Sequence, residues 1–163
     1  MKIVGLAGWS GAGKTTLLVE IIERLTARGL RVSTVKHAHH SFDVDLPGKD
    51  SHRHRSAGAS EVLVASNRRW ALMHELRGDH EPGLPDLLRH LSPVDLVVVE
   101  GFKRESHPKV EVHRTANGKP HLFAELVNVR GLVTDGPRPE GWSGPIASLN
   151  APAEVADLLL RCA

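Results

Sequence analysis

Residues Gly8-Trp9-Ser10-Gly11-Ala12-Gly13-Lys14-Thr15 match the pattern G-x-x-x-x-G-K-[ST], and few patterns of this length restrict a fold so tightly. Such a loop works only between the end of a strand and the start of a helix. Its glycines let the backbone curl until successive N–H groups face one concavity, and the helix beyond adds the positive end of its dipole. The flanking residues supply both elements. Lys2 to Ala7 is an apolar run that reads as a buried strand, and Leu17, Leu18, Ile21, Ile22 and Leu25 form one helical stripe between Lys14 and Arg28. The expectation is a site for the phosphates of a purine nucleoside triphosphate. The loop Ser10, Gly11, Ala12, Gly13 cradles them, Lys14 reaches the β- and γ-phosphates, Thr15 ligates Mg²⁺, and Thr16 stands near the α-phosphate.

Strand-like and helix-like segments alternate along the rest of the chain, which predicts an α/β fold: a mostly parallel, mixed sheet with helices on both faces, of the P-loop NTPase type. Strands are expected at Arg31 to Lys36, Glu61 to Ala65, Trp70 to Leu76, Asp95 to Glu100, Lys109 to Arg114 and Val129 to Thr134. The alternation of Val110 and Val112 with charged residues reads as an edge or half-exposed strand. Helices are expected from Asp50 or Ser51, either as the cap, to about Ala57, from Pro85 to Leu91, and from about Ala151 to Arg161 with Asn150 as cap. The Pro- and Gly-rich stretch from Pro137 to Pro145 is too short for a domain linker, so residues 1–163 read as a single nucleotide-binding domain.

A second acidic group should stand near the Mg²⁺, and Glu100 is the candidate. It ends the apolar run Leu96-Val97-Val98-Val99 at the carboxyl edge, where parallel sheets bind ligands. It can serve the metal or an activated water, or it can cap the following turn. Asp95 begins the same strand at the opposite edge. Asp135 follows the late strand and is suited to accept hydrogen bonds from guanine, although starting its Gly-Pro turn is an equally natural role.

After the second strand come His37, His39 and His40, then Asp43, Asp45, Lys49 and Asp50, with His52 and His54 nearby. This loop is open to three readings: a switch or cofactor segment that senses the γ-phosphate, a metal site, or an exposed polar loop. H-x-H-H without cysteine is a loose metal pattern. Basic groups cluster at 52–55, at Arg68-Arg69 and at Lys103-Arg104, either as solvated surface or as contacts for a small phosphorylated ligand.

Lys and Arg total 21 against 19 Asp and Glu, which gives no argument for nucleic acid. The single cysteine, Cys162, cannot build a disulfide framework. No apolar stretch reaches membrane-spanning length and no signal segment is legible at the start, so the cytoplasm is expected.

Six blocks occurring in order carry a family resemblance: Gly8 to Thr15; Lys36-His37-x-His39-His40; Asp43-x-Asp45-x-Pro47-Gly48-Lys49-Asp50-Ser51; Ala57-Gly58-Ala59; Arg69-Trp70-Ala71-Leu72-Met73; and Val99-Glu100-Gly101-Phe102-Lys103. From Lys2 to about Asp135 the chain resembles the molybdopterin-guanine dinucleotide biosynthesis protein B (MobB) family. The resemblance implies a GTP-binding protein with weak GTPase activity and a homodimer joined through the sheet. It also implies an adapter role beside the nucleotidyltransferase MobA, in attaching guanine nucleotide to molybdopterin during molybdenum cofactor biosynthesis. On that reading the cations Lys36, Lys49, Arg53 and Lys103 would face the anionic pterin. Two other classes compete. A nickel-type metallochaperone GTPase would explain the histidines, and a small-molecule kinase could use Arg53 or Arg55 in a lid.

Overall fold

The strand Lys2–Ala7 (β1) is buried along its second half, as its apolar run requires. In the computed structural model, residues 1–38 and 42–163 are described; His39, His40 and Ser41 of the histidine loop lie outside the described residues. The described chain forms two compact units, Met1–His37 with Leu84–Ala163, and Ala38–Gly83.

In the first unit β1 is followed by the helix Lys14–Ala27 (α1) and the strand Val32–Lys36 (β2). The short helix Leu84–Leu88 lies beyond the second unit and leads to Leu96–Glu100. Then come Lys109–His113, a single 3₁₀ turn at Thr115–Asn117, Val129–Thr134, Ile146–Ser148 and the final helix Pro152–Cys162. Counting the two strands and one helix of the second unit, these are α3, β5, β6, β7, β8 and α4. The six strands form one sheet in the order β2-β5-β1-β6-β7-β8, and every pairing is parallel. Helices cover both faces, as parallel sheets require. Leu17, Ile21 and Leu25 of α1, with Val155, Leu158 and Leu159 of α4, pack on one side against Val4, Leu6, Val98 and Val110. Leu84 and Leu88 of α3 pack on the other side against Val97 and Val99.

The second unit holds the helix Asp50–Ser56 (α2) and an antiparallel hairpin of Glu61–Ala65 (β3) and Trp70–His74 (β4). The antiparallel component of the predicted sheet is therefore this separate hairpin. Arg55 organises the unit. Its guanidinium donates to both carboxylate oxygens of Asp43 at 2.9 and 2.8 Å, to Asp45 at 3.2 Å and to Glu75 at 2.8 Å.

Three local readings are corrected. The cap of α2 is Lys49, not Asp50 or Ser51; Asp50 is already helical, and the Ser51 hydroxyl donates to Asp45 Oδ1 at 2.8 Å. The cap of α4 is Ala151, not Asn150, because Pro152 has its φ preset for the first helical position. Finally, β6 is an interior strand between β1 and β7 rather than an edge. Its charged residues are hidden, with Lys109 1% and Glu111 0% exposed. Each has partners that offset the cost of burial. The Lys109 ammonium donates to the carbonyls of Glu105, His107 (2.9 Å) and Val127 (3.4 Å). The Glu111 carboxylate accepts the backbone N–H of Leu122 at 2.7 Å and of Phe123 at 2.9 Å. The strand β8 and the 3₁₀ turn were not expected from sequence. Three residues give too short a run for any periodicity to register.

Beside β1, the His107 ring fills the space that Gly5 leaves by having no side chain; a Cβ there would come within 2.5 Å of Nε2. Burial lowers the imidazole pKa from 6.5 to about 4, and the Lys109 charge acts in the same direction. The folded state therefore holds His107 neutral, while the unfolded chain takes up a proton below pH 6.5. Its contribution to stability is complete above pH 6.5 and is lost as pH falls towards 4. Melting temperatures measured across that range should drop with acid, and the slope should be shallower in His107→Leu. An identical slope in the variant would assign the acid sensitivity elsewhere.

Candidate nucleotide site

The loop after β1 is shaped by its neighbours as well as by its glycines. Gly8 lies so close to β6 that a Cβ would stand 2.4 Å from the carbonyl oxygen of Val112. Gly13 has φ 87°, a left-handed conformation open to glycine at little cost, and it is the residue that starts α1. The first N–H groups of α1 have no partners within the helix, and no acidic residue occupies the first turn. The loop is also held from one side by the segment that follows β6. Trp9 Nε1 donates to the carbonyl of Pro120 at 2.8 Å, and Asn117 Nδ2 donates to the carbonyl of Ser10 at 3.2 Å.

Lys14 points back over this loop. Its ammonium donates to the carbonyls of Gly8 at 3.1 Å and Trp9 at 2.9 Å. Partial burial draws its pKa below the usual lysine value and Glu100 pulls it back up, while the charges of Lys103 and Lys36 push it further down. Lys36 and Lys103 thus join Lys14 near the single carboxylate of Glu100, and such a surplus of cations suits an anion.

Register explains why Glu100 belongs here. Leu6 of β1 and Lys36 of β2 both pair with Glu100, so the three strands end together. The Thr15 hydroxyl donates to Glu100 Oε1 at 3.3 Å, and Lys36 Nζ stands 3.7 Å from Oε2. Two oxygen ligands side by side at the mouth of a phosphate loop suit a hard divalent cation such as Mg²⁺, which shares such sites with phosphate oxygens and water. These residues fit the expected metal.

The other expected site residues are distributed as follows. Lys103 is drawn to the Trp9 ring, with Nζ 5.6 Å from its centroid, and Lys119 lies 6.0 Å from the same ring. Lys49 and Arg53 belong to the second unit, where both are exposed and Arg53 pairs with Asp50 at 3.7 Å. His37 stacks on Phe102, ring centroids 4.7 Å apart. Among the described residues no group of three His, Cys, Asp or Glu side chains is arranged to hold a metal ion. Asp135 does stand at the end of β7, but Oδ1 accepts both the N–H (2.7 Å) and the hydroxyl (2.9 Å) of Thr115. Those bonds, the backbone one foremost, hold its pKa below the usual carboxylate range.

Arg114 was missed as a site residue. It follows β6 directly, and its guanidinium lies over Gly13 and 3.8 Å from Asp135 Oδ2. Its position one residue beyond the carboxyl end of a strand next to β1 was the available signal, but the assignment of β6 to an edge hid it.

A family model described as Molybdopterin guanine dinucleotide synthesis protein B matches residues 3–135. The chain is 46% identical over 135 residues to the molybdopterin-guanine dinucleotide biosynthesis adapter protein of Escherichia coli K12, covering 82% of this chain and 76% of that one. It is also 46% identical, over 123 residues, to the protein of the same name from Haemophilus influenzae, covering 74% and 67%. The crystal structure of Bacillus subtilis MobB superposes with a TM-score of 0.78 at 27% identity, over 99% of this chain and 97% of the other.

Proposed function

Because the chain belongs to the molybdopterin-guanine dinucleotide synthesis protein B family, we propose that it is a GTP-binding adapter in the maturation of the molybdenum cofactor, working in the cytoplasm beside the nucleotidyltransferase MobA. The observation that carries this reading is the convergence of Lys14, Thr15 and Glu100 at the mouth of the glycine loop. In it, the N–H groups of residues 10–16 and the Lys14 ammonium take the phosphates. Thr15 and Glu100 would hold Mg²⁺, which when bound would neutralise phosphate charge. To meet the phosphates Lys14 exchanges its bonds to Gly8 and Trp9 for bonds to oxygen anions, which are the stronger acceptors.

Hydrolysis on this reading is slow. The chain contains no glutamine, the residue that commonly orients the attacking water in GTPases. Glu100 is the group left to orient water, and it is already shared between Thr15 and Lys36. The adapter role is supported by the names of the relatives. A role for Lys36 and Lys103 in meeting the anionic pterin is supported by their charge, and a role for Lys49 and Arg53, each considered within the second unit, by their charge and exposure.

Self-association is part of the proposal. A two-stranded hairpin is marginal alone in water, yet β3 and β4 leave Leu63 60% and Trp70 63% exposed. A second copy of the chain would cover that apolar surface. The metallochaperone and kinase readings are not favoured by the names of the relatives, and of the two arginines a kinase lid could use, Arg55 is committed to three carboxylates.

Calorimetric titration with GTP and ATP, with and without Mg²⁺, tests the reading. GTP with Mg²⁺ should bind far more tightly than ATP, and leaving out Mg²⁺ should weaken GTP. Equal affinity for the two nucleotides would remove the guanine assignment, and indifference to Mg²⁺ would remove Thr15 and Glu100 from a metal site.

A further inference from the structure

A cavity of about 300 Å³ opens beside the phosphate loop, at the lower end of the roughly 300–1,000 Å³ range of small-molecule pockets. One wall is a single face of α1, from Gly13 through Thr16 to Glu20, and the opposite wall is Leu149, Asn150 and Arg114. Resting on the nucleotide reading above, we propose that this cavity holds the nucleoside, and that Arg114 is a nucleoside-binding residue whose guanidinium plane lies against the purine face.

Charge fixes the ligand's direction. Gly13 is at the positive end of the helix, while Glu20 is seven residues along, about 10 Å at 1.5 Å per residue. A carboxylate there repels phosphate and accepts only hydrogen bonds, so it suits the hydroxyl donors of a ribose. The triphosphate thus lies towards Lys14 and the sugar and base lie in the cavity.

The base needs a flat partner. No aromatic ring lines the cavity. Leu149 is a buried apolar residue, and Arg114 carries the one planar cation there. Guanidinium planes stack on bases and aromatic rings, whereas an ammonium is a compact, strongly hydrated point charge. The plane is flanked on two sides. Asp135 Oδ2 stands 3.8 Å from Nη1, and Gly13 lies so close that a Cβ on it would be 3.0 Å from Nη2. Asp135 is in turn fixed by Thr115, the residue after Arg114. Asp135 is thereby a positioning residue for Arg114, and the Asn150 amide, which offers both donors and an acceptor, is free to read the base edge.

The test compares wild type, Arg114→Ala and Arg114→Lys, each titrated with GTP and with inorganic tripolyphosphate in the presence of Mg²⁺; circular dichroism establishes that each variant is folded. Wild type should prefer GTP over tripolyphosphate. Arg114→Ala should lose about 10-fold in GTP affinity, the size of one base stack, and leave tripolyphosphate unchanged. Arg114→Lys should not recover the loss, because it restores charge without the plane. A parallel fall in tripolyphosphate affinity, or rescue by lysine, would make Arg114 a phosphate contact and overturn the proposal. Tripolyphosphate binding as tight as GTP in wild type would overturn the nucleoside cavity and leave the phosphate loop standing. Failure of wild type to bind either would remove the phosphate-loop reading itself, and the proposal with it.

Discussion

Replacing Lys14 by alanine is expected to weaken GTP binding by about 100-fold or more, roughly 3 kcal/mol, the scale of several charge-assisted hydrogen bonds to phosphate. The fold should survive. Lys14 is only half-buried, alanine is the best helix former at the first position of α1, and the bonds lost are two carbonyl contacts within the loop itself. Binding would be read by calorimetry and folding by a thermal melt on the same preparation. A folded variant that retains wild-type affinity would end the assignment of the loop to phosphates. An unfolded variant would mean that the loop depends on those two carbonyl bonds, and Lys14→Met, which keeps the aliphatic stem, would then separate charge from packing.

Replacing Glu111 by alanine should have the larger effect on stability. The carboxylate is the acceptor for two backbone N–H groups, and both would lose it, that of Leu122 in a buried place and that of Phe123 in a partly buried one. At about 1–3 kcal/mol for each abandoned donor, the total is about 3 kcal/mol, a melting temperature lower by about 10 °C for a domain of this size. Glutamine at 111 should fall between the two, since its amide oxygen serves one N–H while its NH₂ faces the other. A melt of Glu111→Ala within 2 °C of wild type would show that the 122–123 backbone finds other partners. The consequence reaches the nucleotide site. The 122–123 segment adjoins Pro120, whose carbonyl holds Trp9 of the phosphate loop.

These two residues mark where the sequence was legible and where it was not. The strand and helix around Lys14 could be read because the motif is local: eight consecutive residues, a strand before and a helix after. The apolar runs at Lys2–Ala7 and Leu96–Glu100 were equally plain, because strands buried on both faces show no alternation. Glu100 followed from its place at the end of such a run. β6 misled for a physical reason. Lys109 and Glu111 alternate with valines just as a solvent-facing row would, and the carbonyl and N–H groups that satisfy them come from residues 105–107, 122–123 and 127. Periodicity records which side chains are polar and carries no information on whether distant backbone completes them. The same error concealed Arg114. Caps failed on a smaller scale, since Asn150 and Ser51 are good cap residues whose neighbours Pro152 and Lys49 set the helix starts instead.

The strand order has a consequence for how the chain comes to be made. β1 leaves the ribosome well before its partners β5 and β6, with Lys2 paired to Leu96 and Gly5 to Lys109. Parallel pairings over such separations form late, after the entropy of closing a long loop has been met. During synthesis, therefore, the glycine loop and α1 emerge and wait without a sheet to hold them until β5 and β6 have followed. On the proposed reading, nucleotide cannot guide the first steps of folding. It can only select and hold a nearly finished sheet, and the apolar strand β1, exposed in the interval, is the segment for which a chaperone would have most use.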